Sequence, residues 1–231
     1  MELVTFPQVS FNLPAIDLTE QTTDRGRWYR TPSGQTYASV TTVLSATTPK
    51  RAALQEWRQR VGEEAAAKIT RQASGEGTRL HAALERIVTN RWTAFQQANL
   101  IPNVTLLLNQ MVPVLREHIT AMHASEVALY SDALKLAGRT DCLCSWDGVY
   151  TILDFKRSNR PKTEAMIEDY FLQTTAYALM VEHMTGIVIP TITVVMGVAD
   201  GSGPLWWHFP KDKYIQQLVC RIAAYHDLIL S

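Results

Sequence analysis

The stretch GRTDCLCSWDGVYTILDFK, from Gly138 to Lys156, constrains the fold of this chain more than any other. Asp147-Gly148 is the residue pair favoured in the tightest hairpin loops, and an apolar run flanks it on either side. A hairpin follows, with Asp141 and Asp154 each placed near the end of a strand. Side chains alternate faces along a strand, so Asp154 and Lys156 point one way while Leu153 and Phe155 point the other. With Asp141 on the partner strand, the hairpin brings two carboxylates and one lysine together.

That group of side chains matches the needs of a divalent cation that acts on phosphate. Mg²⁺ takes oxygen ligands, keeps several waters, and is commonly held by only one or two carboxylates plus substrate phosphate. A lysine beside such a site orients the attacking water or offsets charge that builds on the phosphate. The same residues also describe an ordinary surface hairpin with an Asp–Lys pair of little energetic weight.

Ahead of the hairpin the chain reads as helical, apart from its first segment. Residues 1–38 read as an arm, irregular over 1–23, followed by a small hairpin across Thr31-Pro32-Ser33-Gly34. Ser39 is a good N-cap for a short helix, and with Thr41 it offers hydroxyls where a helix start could also hold a phosphate. Residues 50–72 are helical, with Leu54, Trp57 and Val61 at helical spacing. Ser74-Gly75-Glu76-Gly77 reads as a break, after which a second helix carries His81 and Glu85 on one face. Asn103 to His123 is a further helix with Pro113 inside it. These segments make residues 39–123 a helical layer.

Residues 124–231 then read as the core of a single compact domain. Glu126 to Tyr130 is its first strand, and the central hairpin follows. Thr163 to Met184 is a helix on which Asp169, Gln173 and Tyr177 recur along one side. Ile187 to Val198 and Leu205 to Phe209 are strands, and a closing amphipathic helix runs from Tyr214 to Leu230.

Composition limits the function classes. Hydrophobic residues make up 46% of the 231, ample for a core, while Lys+Arg and Asp+Glu balance at 22 each. No overall basic field announces nucleic acid, although Lys156, Arg157, Arg160 and Lys162 cluster directly after the hairpin. Cys142, Cys144 and Cys220 are too few for a four-cysteine metal centre and read as reduced core or strand residues. The longest apolar run, interrupted by Pro190, is too short to span a membrane. No secretory signal pattern opens the chain, so the cytoplasm is the expected location, bacterial or, for a phage protein, that of its host.

Taken in order, Gly77-Thr78-Arg79-Leu80-His81, Gly138-Arg139-Thr140-Asp141, Asp154-Phe155-Lys156 and Gln173-Thr174-Thr175-Ala176-Tyr177 resemble the motifs of the PD-(D/E)XK nuclease superfamily. The closer resemblance is to its RecB-type exonuclease branch, which has mitochondrial, phage and bacterial members. It implies an α/β (α+β) core of the restriction-endonuclease type, ordered αβββαβ, with a mixed central sheet flanked by helices. It also implies a metal-dependent DNA exonuclease acting on single-stranded or free-ended DNA and leaving 5′-phosphates, in replication, recombination or repair.

Residue by residue, the resemblance makes His81, Asp141 and Asp154 metal ligands, joined by the backbone carbonyl of Phe155. Glu126 is a further acidic helper, with a plain strand-edge charge as its alternative. Lys156 becomes the catalytic lysine, and Gln173 and Tyr177 buttress the site. Ser39, Thr41, Arg79, Arg157, Ser158 and Arg160 fall to DNA contacts, as does Trp57, for which a core aromatic is the simpler reading. The implied cofactor is one or two Mg²⁺ or Mn²⁺ ions, without an iron–sulfur cluster. DNA is the implied partner, with a helicase, recombinase or single-strand-binding protein beside it and no membrane. Two rival readings are a structure-specific endonuclease on the same core and a DNA-binding subunit without turnover.

Overall fold

The computed structural model describes residues 4–230. Strands β1 (Thr19–Thr23), β2 (Gly26–Arg30) and β3 (Thr36–Ser39) lead into helices α1 (Val40–Thr47), α2 (Arg51–Val61), α3 (Glu63–Val88), α4 (Ala94–Ala98) and α5 (Pro102–His118). Strands β4 (Ile119–Ser131), β5 (Leu136–Trp146) and β6 (Val149–Ser158) follow. Helix α6 (Glu168–Thr185), strands β7 (Thr191–Val198) and β8 (Leu205–Pro210), and helix α7 (Asp212–Leu230) complete the chain. The segment from α5 to β7 has the αβββαβ order expected from the motifs. No helix among the described residues is long and apolar enough to cross a membrane.

All eight strands form one mixed sheet, and β5 is its branch point. Along one edge β5 pairs with β4 from end to end. On the other edge it pairs with β3 at Leu136 and Ala137, in parallel, and with β6 from Cys142 onward, antiparallel. Gly138 to Asp141 therefore face a fork between β3 and β6. Asp147 and Gly148 take the turn with φ of 50° and 83°, as the sequence pattern requires.

Alternation along the strands builds two core layers. Leu143, Ile152, Val194 and Met196 pack under α1, α6 and α7 on one face. Cys142, Cys144, Trp146, Leu153, Phe155 and Val195 pack under α3 and α5 on the other. Burying each such large apolar side chain contributes roughly 1.5–3 kcal/mol, so the sheet is held by both layers.

The structure differs from the sequence expectations in five places. Helix α3 runs unbroken through Ser74-Gly75-Glu76-Gly77; glycine costs a helix about 1 kcal/mol against alanine but does not end it. The break lies at Gly62, whose φ of 89° and ψ of 142° leave the helical region. The helix that was to reach His123 stops at His118, because Ile119 onward joins the β5 ladder and lengthens β4. Part of the arm read as irregular forms β1, paired to β2 along Thr19–Thr23. Leu54 is 57% exposed, so the apolar spacing on α2 marks no core stripe. Cys220 is an exposed residue of α7, whereas Cys142 and Cys144 are buried and reduced on β5.

Candidate active site

The site lies where β5 and β6 separate. Their backbone pairing ends at Cys142 opposite Leu153, one position before Asp141 and Asp154. The Phe155 N–H donates instead to Asp141 Oδ2 at 2.7 Å. Helix α3 reaches this opening from one layer and α6 from the other, so side chains from both faces of the sheet converge there.

His81, from α3, sets Nδ1 3.3 Å from Asp141 Oδ1. Glu126 lies between the pairs Ser125–Cys142 and Val127–Thr140, and so opposite Asp141. Its φ of 53° is a left-handed conformation that costs a non-glycine residue on the order of 1 kcal/mol or more. That backbone places its carboxylate with its neighbours: one ligand atom each of His81, Glu126 and Asp141 lies within 4.8 Å of the others. An imidazole and two carboxylates at that spacing fit a divalent cation.

Asp154 and Lys156 stand beside this trio as a buried ion pair. Lys156 Nζ contacts Asp154 Oδ2 and lies 4.8 Å from the Tyr170 ring centroid. Gln173 Nε2 donates to the other oxygen, Asp154 Oδ1, at 3.2 Å. Tyr177, one turn further along α6 from Gln173, is buried. The Tyr177 ring occupies the space over Gly138, where a Cβ would lie 2.8 Å from its nearest ring carbon. Tyr177 over Gly138 and Gln173 at Asp154 thus stand one turn apart on the same helix.

The charges in this cluster are strongly mutual. Burial pushes the Asp154 carboxyl up to about 6, against the pull of Lys156. Burial alone would lower Lys156, but Asp154 and Asp141 outweigh it and hold it above its ordinary value, as an ammonium. Burial opposes charge on His81 too, yet the hydrogen bond and charge of Asp141 raise it. Asp141 is held below the usual carboxylate range, since His81 and Lys156 overcome the effect of burial. Glu126 is raised by burial and by Asp141.

The other residues singled out in the sequence are more dispersed. Ser39 caps α1, with Oγ accepting from Thr42 N at 3.0 Å and sharing a hydrogen bond with Thr41 Oγ1. Thr41 lines a groove of about 930 Å³ with Arg25, Arg27, Lys50 and Asp169. Arg79 opens onto a second groove, of about 320 Å³, with Arg86, Trp92 and Phe95. Arg160 is exposed, Ser158 Oγ donates to its carbonyl at 2.7 Å, and Trp57 is partly exposed on α2. Arg157 is turned to the α3 face, where Nε lies 3.1 Å from Glu76 Oε2. Glu76 and Tyr170 are two residues that sequence reasoning missed. Glu76 stood in a presumed break, and Tyr170 acts on Lys156 through a ring face that spacing cannot reveal.

A model of the PD-(D/E)XK nuclease superfamily matches residues 38–213. Among curated proteins, "Mitochondrial genome maintenance exonuclease 1" of Mus musculus is 27% identical over 209 residues, covering 82% of this chain and 59% of that protein. The Homo sapiens protein of the same name is 29% identical over 191 residues, covering 78% and 54%. The Xenopus tropicalis one is 28% identical over 185 residues, covering 75% and 52%. This chain spans little more than half the length of these relatives. The family match covers β5, β6, α6 and the His81 region of α3 in a single alignment, and on that ground the chain belongs to the PD-(D/E)XK nuclease superfamily.

Proposed function

We propose that this chain is a divalent-cation-dependent DNA exonuclease that acts on single-stranded or free-ended DNA and leaves 5′-phosphates. The observation that carries the reading is the convergence of His81, Glu126 and Asp141 beside the Asp154–Lys156 pair. The names of its relatives support the exonuclease assignment. Mg²⁺ or Mn²⁺ would be held by His81, Glu126 and Asp141, with Asp154 and the Phe155 carbonyl adjoining. A cation bound there supplies Lewis-acid polarisation of a phosphate oxygen and of water.

The chain's own groups supply the rest. Water attacks phosphorus as the bond to the 3′-oxygen breaks; its proton passes to solvent, and the departing oxygen takes one up. Lys156 is an ammonium, so it donates to the phosphate or the water and offsets the growing charge, rather than acting as a base. Gln173 fixes one oxygen of Asp154 and leaves the other to Lys156, which holds the lysine in place. Arg79 and Arg160, with the exposed Thr41, stand ready for phosphates, so affinity should fall with added salt.

End-labelled linear single strands, linear duplex and closed circles, incubated with Mg²⁺, Mn²⁺ or chelator, test the proposal. End-dependent release of 5′-phosphorylated products that stops in chelator supports it. Cutting of closed circles moves the assignment to an endonuclease, and DNA binding without cutting under either metal moves it to a binding subunit.

A further inference from the structure

Glu76 is a charged residue only 4% exposed, in the middle of α3 and shortly before His81. All of its acceptor capacity is used. Oε1 accepts from Gln72 Nε2 at 3.0 Å and from Asn103 Nδ2 at 2.9 Å. Oε2 accepts from Arg157 Nε at 3.1 Å and Nη2 at 2.5 Å. Arg157 Nη1 donates in turn to Asn159 Oδ1. One carboxylate thereby joins three elements: α3, the first turn of α5, and β6 directly after Lys156.

A buried ion pair is seldom a better stabiliser than the apolar residues that could replace it. What the four charge-assisted hydrogen bonds add is geometry: Arg157 holds one carboxylate oxygen and Gln72 and Asn103 hold the other, so the group is fixed at both ends against sliding and rotation. Apolar packing is more permissive. The rest of α3 is held in just that way: beside and beyond His81 by Leu80, Ala83, Leu84, Ile87 and Val88 in the core, and before Glu76 by Ala66 as the one other buried residue among those described. Alternation along β6 sends Lys156 to the reaction side and its neighbour Arg157 to the α3 side, so one strand fixes both.

We infer that the Glu76–Arg157 clamp positions His81 against Asp141 and Glu126, and thereby assembles the cation site. Both are positioning residues that touch neither the cation nor the substrate. The inference rests on the proposed role of His81 as a ligand.

Mn²⁺ titration calorimetry on the full chain tests it, with circular dichroism at the titration temperature to establish that each variant is folded. The variants are Glu76→Gln, Arg157→Lys, the milder Asn103→Ala, His81→Ala, and Leu84→Ala as a core change on the same helix. The expected result is a tenfold or greater loss of Mn²⁺ affinity in Glu76→Gln and Arg157→Lys, and a smaller loss in Asn103→Ala. Leu84→Ala should bind within about twofold of the parent despite its lower melting temperature. Folded Glu76→Gln and Arg157→Lys binding Mn²⁺ like the parent, while His81→Ala does not, overturns the clamp and leaves the ligand assignment standing. A parent that does not bind Mn²⁺, or a His81→Ala variant that binds it unchanged, overturns both.

Discussion

Asp141 Oδ2 accepts the Phe155 N–H at 2.7 Å, so a side chain takes the place a backbone carbonyl would hold in a continued β5–β6 ladder. One carboxylate both ends the strand pairing and contributes an oxygen to the cluster with His81 and Glu126. Asp141→Asn keeps an acceptor for Phe155 but loses the charge. Its activity should fall roughly 100-fold or more, at nearly unchanged melting temperature. Asp141→Ala should lose the same activity and in addition about 1–3 kcal/mol of stability, because the Phe155 N–H is left without a partner. Denaturant melts beside nuclease assays separate the two effects.

Lys156→Ala should reduce turnover by about two to three orders of magnitude while leaving DNA affinity nearly intact. The reason is the position of Lys156: its ammonium is taken up by Asp154 and the face of Tyr170, not spread along a binding surface. Single-turnover rates and equilibrium binding to a labelled single strand check this. A parallel loss of binding would move Lys156 from charge stabilisation to substrate grip.

Activity and metal-free stability should respond oppositely to acid. The Asp154 carboxyl, pushed up to about 6 by burial, must be ionised to pair with Lys156, so turnover should decline as pH falls through about 6 or below. Its folded value lies above that of an unfolded aspartate, so the stability it contributes is full below about pH 4 and lost as pH rises through about 6. The raised His81 and Glu126 act in the same sense. In chelator the protein should therefore melt higher at pH 6 than at pH 8. Gln173→Leu removes a donor that favours the ionised carboxylate and should move the acid limb of the rate profile to higher pH.

Gly138→Ala should disturb the site without touching it. The new Cβ would fall 2.8 Å from a Tyr177 ring carbon, and that ring is buried, so either β5 or α6 must shift. Overpacking of this kind costs about 1–3 kcal/mol. Because Gln173 lies one turn before Tyr177 on α6, a shift of that helix moves its hold on Asp154, and kcat should drop severalfold with little change in KM. Gly138→Ala combined with Tyr177→Phe should not recover it, since the clash involves the ring and not only the hydroxyl.

Much of this was legible in the sequence because its signals are local. The Asp-Gly pair fixes the turn, alternation fixes which residues face Asp154, and the four-residue spacing of Gln173 and Tyr177 puts both on one side of α6. What escaped depends on residues far apart in the chain. Glu76 is explained only by Arg157 and Asn103, and without them a glutamate between two glycines reads as a helix end. The end of α5 at His118 likewise depends on the β5 strand that Ile119 onward joins, since the apolar spacing itself continues. Asp154 shows the same limit at the site: the sequence places it beside Lys156, but only the fold reveals the burial that lifts its carboxyl.

The fork at Gly138–Asp141 also has a kinetic side. β5, β6 and their turn are adjacent in sequence, and α6 follows directly, so most of the pocket can form through short-range contacts. His81 arrives from a helix separated from β5 by α4, α5 and β4. Closing that longer loop is entropically dearer and slower than closing the hairpin. Competence to hold a cation should thus mature late in refolding, after the β5–β6 hairpin has formed.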